Sequence, residues 1–376
     1  MIKRPAKTMK TPIFSVMSMV MIALTLTFSE KDAHAKEIYV AASIRPLHSL
    51  VQMVLGDQGQ AILLMEGQVS PHNIVLRPSD RKHLSSADLV FIIDKGFEPL
   101  FAKAITAKDQ RLVSMSTADG LRLKERRLKG SFGHDDHVHD DDHDHKHGDD
   151  DDKDDHKHDD EKHDDEKHDD EKHDDDHKHD DDHGRKDHVD DDHAHDDHGH
   201  DHIYGRMDLH FWLDPANAVA MVDLIEARLT AAYPDQAQAF AANADEAKQD
   251  LMVLDAELAA MLAPYQDRQV IVYHDAYSYF EDAYGIHARA SILDHHDAQA
   301  DIRRVRMIRQ LVGSGKIACL FHEPQFDLKL LRLVDPQSRL PHVSFDPIGH
   351  DYTAGAGQYR AMMLGIAQSM KTCFQG

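Results

Sequence analysis

Apolar and polar positions along this chain of 376 residues keep two rhythms in alternation. Short apolar, β-rich runs stand at 38–44, 61–65, 89–93 and 111–115, separated by stretches of helical spacing at 47–55, 79–86 and 99–107. After a long interruption, helical spacing returns at 215–232 and again at 236–262, the second stretch lying between Pro234 and Pro264. Strand-like runs then resume at 270–273, 287–292, 317–321 and 342–345, with helices between them and a last helix at 358–372. Alternating β and α elements predict parallel sheets covered by helices on both faces. The expected architecture is α/β in two lobes, each a mostly parallel sheet flanked by helices. The first lobe covers 36–235, the second 265–376, and a rigid linker helix at 236–264 spans about 40 Å between them. Ligands of open α/β sheets sit beyond the carboxyl ends of the strands, which places a site in the interlobe cleft.

The interruption at 134–202 changes the picture most. Its 69 residues hold 20 of the 32 histidines and 34 of the 68 acidic residues, against only 9 of the 43 Lys and Arg. It therefore carries the whole formal net charge of −25, and the rest of the chain balances. With so little apolar surface to bury, the segment is expected to be disordered. The register Lys-His-Asp-Asp recurs at 157–160, 162–165, 167–170 and 172–175, and no apolar residue gives these units a face to stack. Neutral imidazoles beside carboxylates suit divalent transition metals. The expectation is many weak, exchangeable sites, among them His143, His145, His147, His156, His158, His163, His168, His173, His177 and His179. A plain solvated charge block is the competing reading, and it leaves the histidines unexplained.

The N-terminus reads as a cleaved secretory signal over 1–35. Lys3, Arg4, Lys7 and Lys10 precede an apolar stretch at 13–28, and Ala33-His34-Ala35 offers a cleavage site. The mature chain is then exported and soluble, and in a Gram-negative envelope its place is the periplasm. Cys319 and Cys373 are the two cysteines. They are either two inert buried thiols or, in an oxidising compartment, one disulfide. No basic patch survives the charge count, which argues against nucleic acid as a partner.

Four residues stand out as ligands of a single well-defined site. His72 follows the second strand in a loop marked by Gly67 and Pro71, and His210 precedes a helix. His274 and Asp346 each end an apolar strand. Three imidazoles and one carboxylate fill a tetrahedral shell suited to Zn²⁺.

At these residues the sequence resembles the cluster A-I solute-binding proteins of metal ABC importers, specifically their zinc-importer (ZnuA-like) branch. The loop His72-Asn73-Ile74-Val75-Leu76-Arg77-Pro78-Ser79-Asp80, with Ala87-Asp88-Leu89-Val90 after it, is similar to the first-ligand motif. Asp208-Leu209-His210-Phe211-Trp212-Leu213 resembles the second, and His274-Asp275-Ala276-Tyr277-Ser278-Tyr279-Phe280 the third. Glu323-Pro324-Gln325-Phe326 and Asp346-Pro347-Ile348-Gly349 are similar to the family's C-terminal lobe. The resemblance implies zinc ligation by His72, His210 and His274, with Asp346 or water in fourth place, and a Cys319–Cys373 disulfide. It implies a monomeric periplasmic receptor that delivers Zn²⁺ to a membrane permease and is not an enzyme. An imidazole at 274, where manganese binders of the family tend to carry a carboxylate, favours zinc.

Three rivals stay in view. A secreted zinc hydrolase would need Glu323, Asp275 or Asp346 as general base. A pure metal buffer would make the acidic run the function and the lobes its scaffold. A receptor of the same class could serve manganese or another divalent ion.

Overall fold

The computed structural model describes residues 38–67, 75–105, 109–127, 132, 206–293 and 302–375. The signal expected at 1–35, the first ligand His72 and the run 134–202 with its histidines lie outside the described residues.

The first lobe is built from β1 (Tyr39–Ala42), α1 (Arg45–Leu55), β2 (Gln60–Leu63), α2 (Pro78–Ser86), β3 (Leu89–Ile92), α3 (Pro99–Ala104) and β4 (Leu112–Ser114). Its sheet runs β2-β1-β3-β4 with every pairing parallel. Two short strands, β5 (Lys124–Glu125) and β6 (Met207–Asp208), form an antiparallel ribbon on either side of the acidic run. Two residues carry no periodicity, so the hydrophobic pattern does not announce this ribbon. α4 (Pro215–Ala232) follows, started by Pro215 at the first turn and by the Asp214 side chain, which accepts from Ala216 N.

The linker is α5 (Ala237–Leu262), 26 residues long. Phe240, Ala244, Ala247, Leu251, Leu254, Leu258 and Leu262 are its buried positions, a stripe at three- and four-residue spacing that lies against the lobes. Met252 and Val253 face the other way and are exposed.

The second lobe comprises β7 (Gln269–His274), α6 (Ser278–Tyr284), β8 (His287–Leu293), α7 (Ile302–Gly313), β9 (Ile317–His322), α8 (Lys329–Val334), β10 (His342–Ser344) and α9 (Gln358–Gln375). Its sheet order is β10-β9-β7-β8, again all parallel. The expected two-lobed α/β architecture is therefore present, each strand found within a residue or two of its apolar run. Among the described residues, no helix is long and apolar enough to cross a membrane.

One side of the second sheet packs on α7 and α8 through Ile271, Leu320, Ile308 and Val334. The other belongs to a core that continues into the first lobe. α9 makes that continuity, returning to lie against α1: Tyr359 N donates to Ser49 Oγ at 3.0 Å, and Ser49 Oγ donates to Ala356 O at 2.8 Å. Cys319 in β9 is joined to Cys373 in α9, with Cα atoms 6.3 Å apart across 54 residues. The disulfide thus ties the returning helix to the sheet. A loop of that length stabilises by about 4 kcal/mol in the chain-entropy model. Replacing both cysteines by alanine is expected to lower the stability extrapolated to water by about that amount and to steepen the urea slope, since the unlinked denatured chain exposes more surface; an unchanged stability would show the crosslink to be energetically silent.

Candidate metal centre in the interlobe cleft

β6 leads to His210, the first of the expected ligands among the described residues. Asp208 ends the strand, and its Oδ1 accepts from the backbone N of His210 at 3.0 Å, turning the chain so that the imidazole follows two residues on. The same Oδ1 holds His210 Nδ1 at 2.8 Å. Ser278 Oγ donates to Asp208 Oδ2, and Tyr279 OH donates to Asp208 O at 2.7 Å. Both donors stand at the start of α6 in the second lobe, so the aspartate that orients His210 is gripped from across the cleft.

His274 ends β7, the apolar strand whose register places it at the carboxyl edge of the second sheet. Its Nδ1 is hydrogen-bonded to Glu323 Oε1, one residue beyond the neighbouring strand β9. Gln325 Nε2 donates to Glu323 Oε2 at 2.6 Å. Phe326 lies edge-on to the His274 ring at 5.6 Å and stacks on Tyr273 at 4.6 Å. The two imidazoles then stand face to edge across the cleft, centroids 5.4 Å apart. With Nδ1 of each ring fixed by a carboxylate, a metal would be taken through Nε2, the arrangement that orients and strengthens an imidazole ligand. Asp208 and Glu323 were not foreseen as orienting partners. The Asp-x-His spacing at 208–210 and the placing of Glu323 beside the end of β7 are the signals that point to them.

The electrostatics follow from burial and pairing. Burial disfavours a charged His274, but the charge and hydrogen bond of Glu323, with Asp275 and Asp208 behind it, outweigh burial and raise its pKa above 6.5. Burial likewise works against an ionised Asp208, yet the bonds and charge of His210 and the Ser278 hydroxyl hold it below the usual carboxylate range. Asp275 is pushed up to about 7, mainly by burial, against the pull of Arg127 and with repulsion from Asp208 and Glu281. Arg127, on the first-lobe side of the acidic run, pairs with Glu281 at 2.7 Å and Asp275 at 3.4 Å.

Asp346 occupies a tight turn. Its Oδ1 accepts from Ile348 N at 3.1 Å and Gly349 N at 2.9 Å and lies 3.3 Å from His350 Nδ1, while Oδ2 accepts from His350 N. Gly349 closes the turn at φ +69°, and a Cβ there would come within 2.2 Å of Gln358 Nε2 and 2.9 Å of Met362 Cβ. Of the four expected ligands, His210 and His274 are thus together, Asp346 is tied to its own turn, and His72 lies outside the described residues. Among the described residues, no group of three or more His, Cys, Asp or Glu could hold a metal. The carboxylates a hydrolytic reading needs as base are engaged: Glu323 with His274, Asp275 with Arg127, Asp346 with its turn.

The His274–Glu323 pair is stabilising at low pH, and that contribution fades as pH rises through the raised His274 pKa. In Glu323→Gln the opposing partner is gone and burial dominates. The imidazole of His274 is expected to titrate below 6.5 in the variant and above it in the native chain, followed by NMR of the ring protons. Identical titration in both would remove Glu323 as the controlling partner.

Comparison with known proteins agrees over nearly the whole chain. The family model described as ZnuA, zinc-uptake complex component A, periplasmic, matches residues 40–373. The high-affinity zinc uptake system protein ZnuA of Brucella abortus (strain 2308) is 34% identical over 336 residues, covering 89% of this chain and 91% of that protein. A solved ZnuA structure superposes with a TM-score of 0.61 at 17% identity, covering 90% of this chain and 99% of that one. The solute-binding protein FpvC from Pseudomonas aeruginosa, in complex with Mn²⁺, superposes with a TM-score of 0.62 at 16% identity, covering 90% and 99%. At such identities the superpositions speak for the fold alone, while the family model and the Brucella relative carry the assignment: the chain belongs to the ZnuA family.

Proposed function

We propose that this chain is a periplasmic receptor that captures Zn²⁺ between its lobes and hands it to the membrane permease of an ABC importer. The observation that carries the reading is the facing pair His210 and His274, one from each lobe, each held through Nδ1 by a buried carboxylate. An imidazole-rich donor set favours zinc over manganese. The name of the Brucella relative, a high-affinity zinc uptake protein, supports the same cargo and the same kind of partner.

In this reading His72, His210 and His274 are the three nitrogen ligands. A carboxylate has about four acceptor sites, and the turn around Asp346 leaves capacity on Oδ2. The fourth position falls to that atom or to water. The receptor acts as a monomer, and the run 134–202 raises the local zinc concentration near the cleft through weak, exchanging sites. It is inserted ahead of the strand that ends at Asp208, two residues before His210.

The test is a zinc titration of the mature protein lacking 134–202 against a strong chelator. One tight ion is expected. His72→Ala, His210→Ala or His274→Ala should each weaken it by more than about 100-fold, and Asp208→Asn by about 10- to 100-fold. Weak binding once 134–202 is removed would move the function into the acidic run. In the same assay Asp346→Asn decides the fourth ligand, since water in that place leaves the affinity unchanged.

A further inference from the structure

Beyond the groups that touch the histidines, the first lobe holds a buried polar cluster at the carboxyl ends of β1, β3 and β4. Glu98 is wholly buried there. Its Oε2 accepts from Ile93 N at 2.9 Å and Asp94 N at 3.1 Å, and its Oε1 is hydrogen-bonded to Ser43 Oγ just past β1. Phe97 N and Glu98 N in turn donate to Asp94 O at 3.0 and 2.9 Å, so residues 93–98 form one closed turn. The residue that this turn projects is Phe97. Its ring stands edge-on to His210, centroids 5.5 Å apart at 89°, and meets Trp212 at 5.4 Å. No other role in the cleft has been found for the glutamate, and a buried carboxyl is costly to keep in an apolar core.

We propose that Glu98 is a positioning residue for the metal centre: its carboxyl ties the 93–98 turn to β1 and thereby seats Phe97 against His210 and Trp212. The inference rests on His210 being a zinc ligand only where zinc affinity is the readout.

The groups around Glu98 explain its form. Burial pushes its pKa up to about 8, against the Ser43, Asp94 and Ile93 hydrogen bonds and with repulsion from Asp94. Asp94, from the same turn, is the charged neighbour acting on it. It accepts from Gly96 N at 2.7 Å and from Ser116 Oγ at 2.5 Å, while Ser114 Oγ stands 3.4 Å away. β1 contributes Ser43, and β4 with the residues after it contributes Ser114 and Ser116, none of which ionises at these pH values. His210 stands on the far side of the Phe97 ring. At pH 7 Glu98 is therefore a neutral acid. Oε2 already takes two amides, so the proton sits on Oε1 against Ser43 Oγ. The unfolded chain loses this proton near pH 4.5 and the folded chain near 8, so stability falls with rising pH across that window. Above pH 8 a buried carboxylate stands inside the turn beside Asp94, and the turn is expected to loosen.

Glu98→Gln reproduces the neutral acid, with a carbonyl for the two amides and an NH₂ for Ser43; Glu98→Ala removes both. The probe is the emission of Trp212, the one tryptophan of the chain, followed from pH 6 to 9.5 without metal. The native protein should show a transition centred near pH 8, and Glu98→Gln should lack it while keeping any lower-pH change that His274 and Asp275 cause. With zinc against a chelator at pH 7, Glu98→Gln should match the native affinity, and Glu98→Ala should fall about tenfold, as for supporting partners of a ligand. At pH 9 Glu98→Gln should bind more tightly than the native chain. The proposal is overturned if the Glu98→Gln emission titrates like the native one, or if neither titrates, or if Glu98→Gln loses as much affinity at pH 7 as Glu98→Ala. A failure of the zinc reading would show differently: no tight ion in any variant, with the metal-free emission transition and its loss in Glu98→Gln intact.

Discussion

The indole of Trp212 is where the two lobes become one molecule. Its Nε1–H donates to Pro347 O at 2.9 Å, and its own carbonyl accepts from Tyr359 OH at 2.7 Å, both partners lying in the second lobe. The residue is fully buried, so each of these polar groups would be an unsatisfied liability if the lobes parted. Trp212 stands two residues after His210 and one residue from the turn that Asp346 organises through Pro347. The contact that joins the lobes therefore also fixes the spacing between the segments that carry His210 and Asp346. Together with α5 and the return of α9 onto α1, it makes the cleft a shaped gap in one continuous core.

Within that gap the design problem is charge. Asp208, Asp275, Glu281 and Glu323 are all buried or nearly so, and Arg127 is the cation paired with two of them. Such a surplus is expensive without a positive partner. The folded chain answers in part by raising the pKa of His274, which favours a proton on its imidazole, and by pushing Asp275 up to about 7. A divalent cation at the imidazoles would answer it more completely, displacing the proton as it binds. In the proposed receptor the anionic surround would act on affinity from behind the imidazoles, and the imidazoles would choose the metal.

Much of this was legible in the chain. The apolar runs and the 3.6-residue spacing marked both parallel sheets and the linker helix, because the central strands are buried on both faces and the linker helix on one. His210 and His274 could be picked out by their places at an element start and a strand end. The ribbon of β5 and β6 was not legible, since two residues a side leave no period. Asp208 and Glu323 were visible as motif residues, but their bonds to His210 and His274 depend on adjacency in space, and 49 residues separate Glu323 from its histidine. Glu98 was hidden for the same reason: a lone glutamate after an apolar strand reads as solvated, and only the packing of β1 over it shows otherwise. The resemblance to metal receptors named the expected ligands; the physical reasons for the orientation of His210 and His274 came from the fold.

The ribbon also bears on how the acidic run can change. Arg126 N donates to Arg206 O at 2.7 Å, and Lys124 and Arg127 anchor the outgoing strand to Asp282 and Glu281 of the second lobe. The two ends of the insertion are therefore pinned side by side, whatever lies between them. Closing a flexible loop between fixed ends costs only about 0.6 kcal/mol for each doubling of its length. The Lys-His-Asp-Asp unit stands four times in this run. The length of the insertion at this point of the chain can change with little penalty to the folded lobes, so the histidine and carboxylate content of the run and the geometry of the cleft can vary separately.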